Sequence, residues 1–228
     1  MMFLIKNLNS KLYNVIFIYL FSHGIVSFSA SNDMIKIICT AALIAPQAES
    51  RKIEYVNAIK AVKQFGFVPY IVESCVAGPS FLDDLSDKLW YAKTNDSGLR
   101  NKGVNEVKAL LHFFNHHTFN DDDIIVKVTG RYVFLNDSFF SFIMSHLKFD
   151  AFVRYLGDQV FTGCFAMRYK YLINFLENLN LQKMEQSMIN LERELADYLA
   201  LHKGMIICRL DTLGIAARIA FNNYIDYL

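Results

Sequence analysis

A lysine stands inside an otherwise apolar strand-like run, Ile124-Ile125-Val126-Lys127-Val128-Thr129, and the run ends on Gly130-Arg131-Tyr132. A cation buried without a partner is costly, so Lys127 must meet an anion or a carbonyl. Arg131 follows the glycine where the strand emerges, and its planar fork suits a pyrophosphate or a carboxylate. The alternative is an internal ion pair of Lys127 or Arg131 with Glu73 or Glu106. A second cationic segment, Leu99-Arg100-Asn101-Lys102-Gly103-Val104-Asn105-Glu106, sets two cations and a glycine at the start of a helical pattern. Helix N-termini and cations both favour phosphate, while a solvated cap with a turn glycine uses the same residues. Asp121-Asp122-Asp123 has Asp-x-Asp spacing for a metal but precedes its strand, and a turn or solvated cap fits that place better. His116-His117 reads as a solvated helix end, because adjacent helical residues point in different directions.

The elements that must hold these groups follow from periodicity. Ile35 to Thr40 is a continuous apolar strand, Arg51 to Phe65 repeats at helical spacing, and Phe67 to Val72 is the next strand, giving a parallel strand-helix-strand unit. Gly78-Pro79 breaks the chain, Phe81 to Leu85 forms a short helix, and Lys88 to Ala92 is a brief edge strand. Asn101 to Phe114 is helical, Ile124 to Thr129 is a strand, and Ser138 to Leu147 is a helix. Strands follow at Ala151 to Tyr155 and Gly163 to Met167, the second entering a helix over Tyr169 to Asn178. Lys183 to Leu201 reads as one long amphipathic helix with Met188, Leu191, Leu195 and Leu199 on its buried side. Ile206 to Leu210 is a late strand, and a helical remainder closes the chain.

This pattern predicts an α/β fold: a mostly parallel, Rossmann-like central sheet with helices on both faces, in a single domain over 34–228. In such sheets ligands bind beyond the carboxyl ends of the strands. The loops Thr40 to Arg51, Glu73 to Pro79, Ser97 to Glu106 and Thr129 to Asp137 lie there.

The 228 residues are 54% hydrophobic and 14% aromatic, enough to bury a large core and to exclude disorder. Lys plus Arg number 23 and Asp plus Glu 22, a net charge of +1, so nucleic acid is not an expected partner and any phosphate site is local. Cys39, Cys75, Cys164 and Cys208 lack zinc-ligand or disulfide-scaffold spacing and read as reduced core residues. Before Met34, Lys6 and Lys11 precede the apolar run Leu12 to Phe21, and Ser27-Phe28-Ser29-Ala30 follows, the outline of a signal peptide. The run is short of the roughly 20 apolar residues of a membrane span, and Asn14, Ser22 and His23 interrupt it. A membrane tether over 1–33, or translation from Met34, are the alternatives. The expected location is cytoplasmic or peripherally membrane-associated, and exported if the signal works.

Lys127-Val128-Thr129-Gly130-Arg131-Tyr132 resembles the Lys-x-Thr/Ser-Gly-Arg-Tyr segment that ends a central strand in a group of GT-A-like glycosyltransferases. The resemblance extends over about residues 35 to 200, through Thr40-Ala41-Ala42-Leu43-Ile44, Arg51 with Glu54-Tyr55, Tyr70-Ile71-Val72-Glu73 and Asn101 to Glu106. It implies a nucleotide-binding half followed by a smaller acceptor half. Thr40, Glu73 and Ser74 would border base and ribose, and Arg100, Lys102 and Arg131 would face the diphosphate, with Arg51, Asn101, Lys127, Thr129, Gly130 and Tyr132 in the same site. Where metal-dependent members carry Asp-x-Asp, this chain has Thr129-Gly130-Arg131. The cations can neutralise a leaving diphosphate, so no cofactor is required, with Asp137 the candidate ligand if Mn or Mg binds. An inverting transfer needs a carboxylate to take the acceptor proton. Asp158 is the first choice, before an acceptor-side turn at Thr162 and Gly163, and Glu185 the second.

The implied partners are a nucleotide-sugar donor and a carbohydrate or glycoconjugate acceptor, as in surface polysaccharide or glycoconjugate synthesis. The rivals are a degenerate domain of the same fold and another nucleotide-using α/β transferase. No Gly-x-x-x-x-Gly-Lys, Gly-x-Gly-x-x-Gly or Gly-x-Ser-x-Gly occurs to support other phosphate-loop or hydrolase chemistry.

Overall fold

Side chains alternate across a strand, and β1 (Ile35–Ala41) shows what that does here. Ile35, Ile37 and Cys39 join one buried cluster, while Ile38 joins the other. β4 (Ile124–Thr129) behaves likewise, with Ile124, Val126 and Val128 on the first side and Ile125 on the second. Both strands are therefore covered on both faces, as their unbroken apolar runs require. The computed structural model describes residues 33–44, 48–218 and 225–228. The signal-peptide or tether expectation for 1–33 falls almost wholly outside these residues.

The central sheet pairs β1 with β2 (Tyr70–Glu73), β3 (Leu89–Tyr91), β4, β6 (Ala151–Val153), β9 (Cys164–Arg168) and β10 (Ile207–Arg209) in the order β10-β6-β9-β4-β1-β2-β3. Pairings are parallel except where β9 meets β4 and β6. α1 (Ala48–Gln64) joins β1 to β2 and sends Val62 into the cluster of Ile35, Ile37 and Cys39. α2 (Lys102–Phe114) joins β3 to β4 and sends Val107, Leu110 and Phe113 into the opposite one. The strand order thus reverses between β1 and β4, which defines the switch point of a doubly wound sheet. The α/β class, the mostly parallel sheet and helices on both faces are as the sequence predicts. Beside α1 lies α3 (Ser138–Ser145); beside α2 lie α4 (Tyr169–Asn178), α5 (Leu181–Ser187) and α6 (Leu191–Leu201). In α4, Tyr169, Leu172, Phe175 and Leu176 are buried at helical spacing, each apolar side chain contributing about 1.5–3 kcal/mol of transfer free energy.

Two expectations are corrected. The single helix over Lys183 to Leu201 is two helices. Met188 takes a left-handed conformation at φ 52° and is 46% exposed rather than buried, and Asn190 then caps α6 by accepting from the Arg193 N–H at 3.0 Å. An asparagine that competes for backbone donors starts a new helix more readily than it continues one. The helical remainder is instead β11 (Ile215–Arg218) and β12 (Ile225–Tyr227), which pair antiparallel with each other, β11 also pairing with β5 (Val133–Phe134). Leu228 closes this small sheet through bonds with Leu213 and Ile215. Cys39 and Cys164 are buried thiols, as expected; Cys75 sits in the loop after β2 and Cys208 in β10, both half-buried. No helix among the described residues is long and apolar enough to cross a membrane.

Candidate functional site at the carboxyl edge of the sheet

Register brings Thr40 and Thr129 side by side at the ends of β1 and β4. The Gly130 N–H donates to the Thr40 carbonyl at 2.8 Å, and the Thr129 N–H donates to the Gly163 carbonyl at 2.8 Å. The ends of β1 and β4 and the approach to β9 therefore lie in one row. Both glycines are needed for close approach. A Cβ on Gly130 would lie 3.0 Å from the Tyr55 ring and 3.1 Å from the Thr40 carbonyl, and one on Gly163 would overlap the rings of Tyr132 and Phe161. Those rings stack with centroids 5.8 Å apart.

Lys127 faces α2. It is 1% exposed, and its ammonium donates to Glu106 Oε1 at 2.6 Å and to the Thr162 carbonyl at 2.7 Å. This is the internal ion pair with Glu106. The Thr40 hydroxyl donates to the same Oε1 at 2.9 Å, and the Thr162 hydroxyl donates to Glu192 Oε1 at 2.6 Å. A polar chain thus runs Thr40, Glu106, Lys127, Thr162, Glu192, from β1 through α2 and β4 to the segment before β9 and the first turn of α6. Burial pushes the Tyr132 hydroxyl up; the Arg131 charge opposes this, and Glu106 and Glu192 add to it, so all three charges act on one ring.

Arg131 pairs with Glu54 of α1 at 3.4 Å, neither with Glu73 nor with Glu106, and is 18% exposed. Arg51 donates to the Ala42 carbonyl at 3.1 Å, and the Tyr55 hydroxyl accepts from the Ala42 N–H at 2.9 Å. Glu73 is fully buried. Its carboxylate accepts from the N–H groups of Cys75 at 2.7 Å and of Leu43 and Val76 at 3.2 Å, stapling the loops after β1 and β2. The Ser74 hydroxyl donates to the Ala41 carbonyl at 3.2 Å.

Burial raises the Glu73 carboxyl above its ordinary value of 4.5, against the downward pull of the Cys75, Leu43 and Val76 N–H groups. A raised folded value means that the native state holds the proton more tightly. The stabilisation is full below the unfolded value and is lost as pH rises through the folded one. The urea midpoint is therefore expected to carry a falling component as pH rises from about 4.5. Glu73→Gln should remove that component, and an unchanged pH profile in the variant would refute the assignment.

The start of α2 is capped from within. The Glu185 carboxylate accepts from the Arg100 and Asn101 N–H groups at 2.9 and 3.0 Å, which holds it below its ordinary range. Asn101 accepts from the Gly103 N–H at 3.0 Å and donates to the carbonyls of Met184 and Ile189. The backbone N–H groups of Arg100, Asn101, Gly103 and Val104 are spent within the protein, while the Arg100 and Lys102 side chains stay exposed. Asp158 is 75% exposed beyond β7 (Tyr155–Leu156), in the turn to β8 (Gln159–Val160), and ion-pairs with Arg193.

Asp137 is exposed at the start of α3, with the Ser141 hydroxyl at 3.5 Å. Among the described residues no three of His, Cys, Asp and Glu converge as a ligand set. Asp121 to Asp123 form the turn before β4: Asp123 accepts from the Asn120 N–H at 3.0 Å, and Asp122 pairs with Arg168 and Lys170. His116 and His117 pack around Trp90, ring centroids 4.8 and 4.9 Å from it, and His117 stacks on Phe113.

The structure thus unites Thr40, Lys127 and Thr162, with Thr129, Gly130, Arg131, Tyr132 and Gly163 beside them. It adds Glu192 and Glu54, which sequence reasoning did not select as site residues. For Glu192 the available signal was its place two residues after a helix-capping asparagine. No protein-family model and no curated protein matches the chain.

Proposed function

We propose that this chain is a nucleotide-sugar-dependent glycosyltransferase with a GT-A-like fold, transferring a sugar to a hydroxyl of a glycan or glycoconjugate acceptor. The observation that carries the reading is the polar chain from Thr40 to Glu192, which crosses the switch point where an open α/β sheet takes its ligand. The parallel strands β3, β2, β1 and β4 form the donor half, and the reversed β9 with β6 and β10 opens the acceptor half. The loops fixed by Glu73 and Ser74 border the nucleoside. Arg131, drawn from its long pairing with Glu54, meets the diphosphate and stabilises it as it leaves. Glu192 takes the acceptor proton as the anomeric carbon is attacked.

The test titrates UDP-, GDP-, CMP- and dTDP-sugars into the full-length protein, with EDTA or with manganese, comparing wild type with Arg131→Ala. One donor should bind saturably and release its sugar, and Arg131→Ala should weaken its binding roughly tenfold or more, the value of a charge-assisted bond. If no donor binds in either medium, the reading fails. A second reading, a binding domain of the same fold without turnover, is favoured by the internal balance of Lys127 against Glu106 and by the capped start of α2. Saturable donor binding with neither sugar release nor transfer selects it.

A further inference from the structure

Two buried side-chain polar atoms have no hydrogen-bond partner among the described residues: Thr94 Oγ1 and Arg154 Nη1. Both stand just past the carboxyl ends of strands, Thr94 after β3 and Arg154 after β6. They bracket the edge that holds the polar chain. A guanidinium N–H shut away from water with no acceptor is costly, and a fold that keeps one calls for an explanation, of which a bound anion is one.

Arg154 is built into the acceptor half. Its carbonyl accepts from the Phe161 N–H at 2.8 Å, next to Thr162, which holds Lys127. The Leu210 N–H donates to the Val153 carbonyl at 2.8 Å and brings the end of β10 alongside. There the Arg209 guanidinium lies over the Tyr155 ring, 4.5 Å from its centroid. The carboxylate of the hairpin turn, Asp158, is taken by Arg193. The Arg209 guanidinium therefore lies beside the segment that leaves β6, Arg209 itself pairing in register with Val153, the residue before Arg154. β6 is separated from β4 by β9, so it lies about 10 Å from the last strand of the donor half at ordinary strand spacing.

We propose that Arg154 binds an oxyanion, a phosphate or a carboxylate carried by the acceptor, with Nη1 donating to it. The assignment of that anion to the acceptor rests on the transferase reading; the anion site itself does not. The same chemistry could be presented by the donor diphosphate, and the experiment separates the two.

Isothermal titration of inorganic phosphate into the full-length protein, alone and with saturating UDP, GDP or dTDP, compares wild type with Arg154→Met and Arg154→Lys. Phosphate should bind wild type with or without nucleotide. Arg154→Met should weaken phosphate roughly tenfold or more and change nucleotide affinity by less than about twofold. Arg154→Lys should fall between, keeping the charge and losing the fork. The melting temperature of Arg154→Met should be unchanged or higher, because an unpaired buried donor is gone. Should that variant not fold, Arg154→Lys carries the comparison. Phosphate that competes with nucleotide, with both weakened by the variant, assigns Arg154 to the donor and overturns the proposal. So does wild type that binds no phosphate, or a variant that melts lower while binding phosphate normally. Phosphate binding that depends on Arg154 in a protein that binds no nucleotide-sugar would keep the anion site and reject the transferase reading.

Discussion

Glu106→Leu is expected to lower the unfolding free energy by about 3–5 kcal/mol, and Lys127→Met by far less. The two residues form one pair, with Nζ 2.6 Å from Oε1, but their surroundings differ: Lys127 is 1% exposed and Glu106 25%. Without Glu106 the ammonium stays inside with only the neutral Thr162 carbonyl left of its two partners in this cluster, an uncompensated charge in a medium of low polarity. Without Lys127 the carboxylate still accepts from Thr40 and reaches water, while methionine fills most of the volume of the lysine stem. The double variant should recover most of the Glu106→Leu loss, since the stranded charge is gone. Urea unfolding of the four proteins gives the coupling directly. Equal losses in the two single variants would mean that the ammonium finds water or another anion, and the cluster would lose its buried character.

This pair also marks how far the sequence reaches. That Lys127 needs a partner follows from one charge in an apolar strand, and periodicity alone locates the strand and α2. The choice between Glu73 and Glu106 does not follow from spacing, because both lie at the carboxyl edge of the sheet. It is settled by which face each side chain occupies. Lys127 shares the parity of Ile125 and points to α2, whereas Glu73 is held by the N–H groups of Leu43, Cys75 and Val76. Arg131 finds Glu54 on α1, across 77 positions of sequence, a pairing that exists only once the sheet has brought β4 beside β1. The same holds for β5, whose partner β11 lies some eighty residues later and whose two-residue length leaves no alternation to read. The missed break at Met188 is different in kind. Asn190 carried the signal, but the apolar repeat of Leu191, Leu195 and Leu199 continues the phase of the preceding turn and hides it.

Sugar transfer is expected to fall about 10²–10⁴-fold in Glu192→Gln, the range that removal of a general base produces. The substitution keeps size and one oxygen, so the Thr162 hydroxyl retains its acceptor and the polar chain stays assembled. Donor affinity should therefore hold while the rate of sugar release to acceptor or water drops. The same change made at Asp158 should do little. That carboxylate is 75% exposed in a hairpin turn and already neutralised by Arg193, so nothing in its surroundings directs it at a reacting hydroxyl. Glu192 is half-buried in the first turn of α6, one bond from the segment that anchors Lys127, and its charge acts on the Tyr132 ring beside Arg131. Those contacts set it beside the segments that follow β4 and precede β9, where the acceptor would enter under the proposed function, with the donor over β1 and β4. If Asp158→Asn abolishes transfer and Glu192→Gln does not, the hairpin of β7 and β8 must close over the site during turnover, and Glu192 is a positioning residue for Thr162. If both are silent while Arg131→Ala still weakens donor binding, the acceptor proton leaves by another route. The donor half of the assignment then stands without the acceptor half.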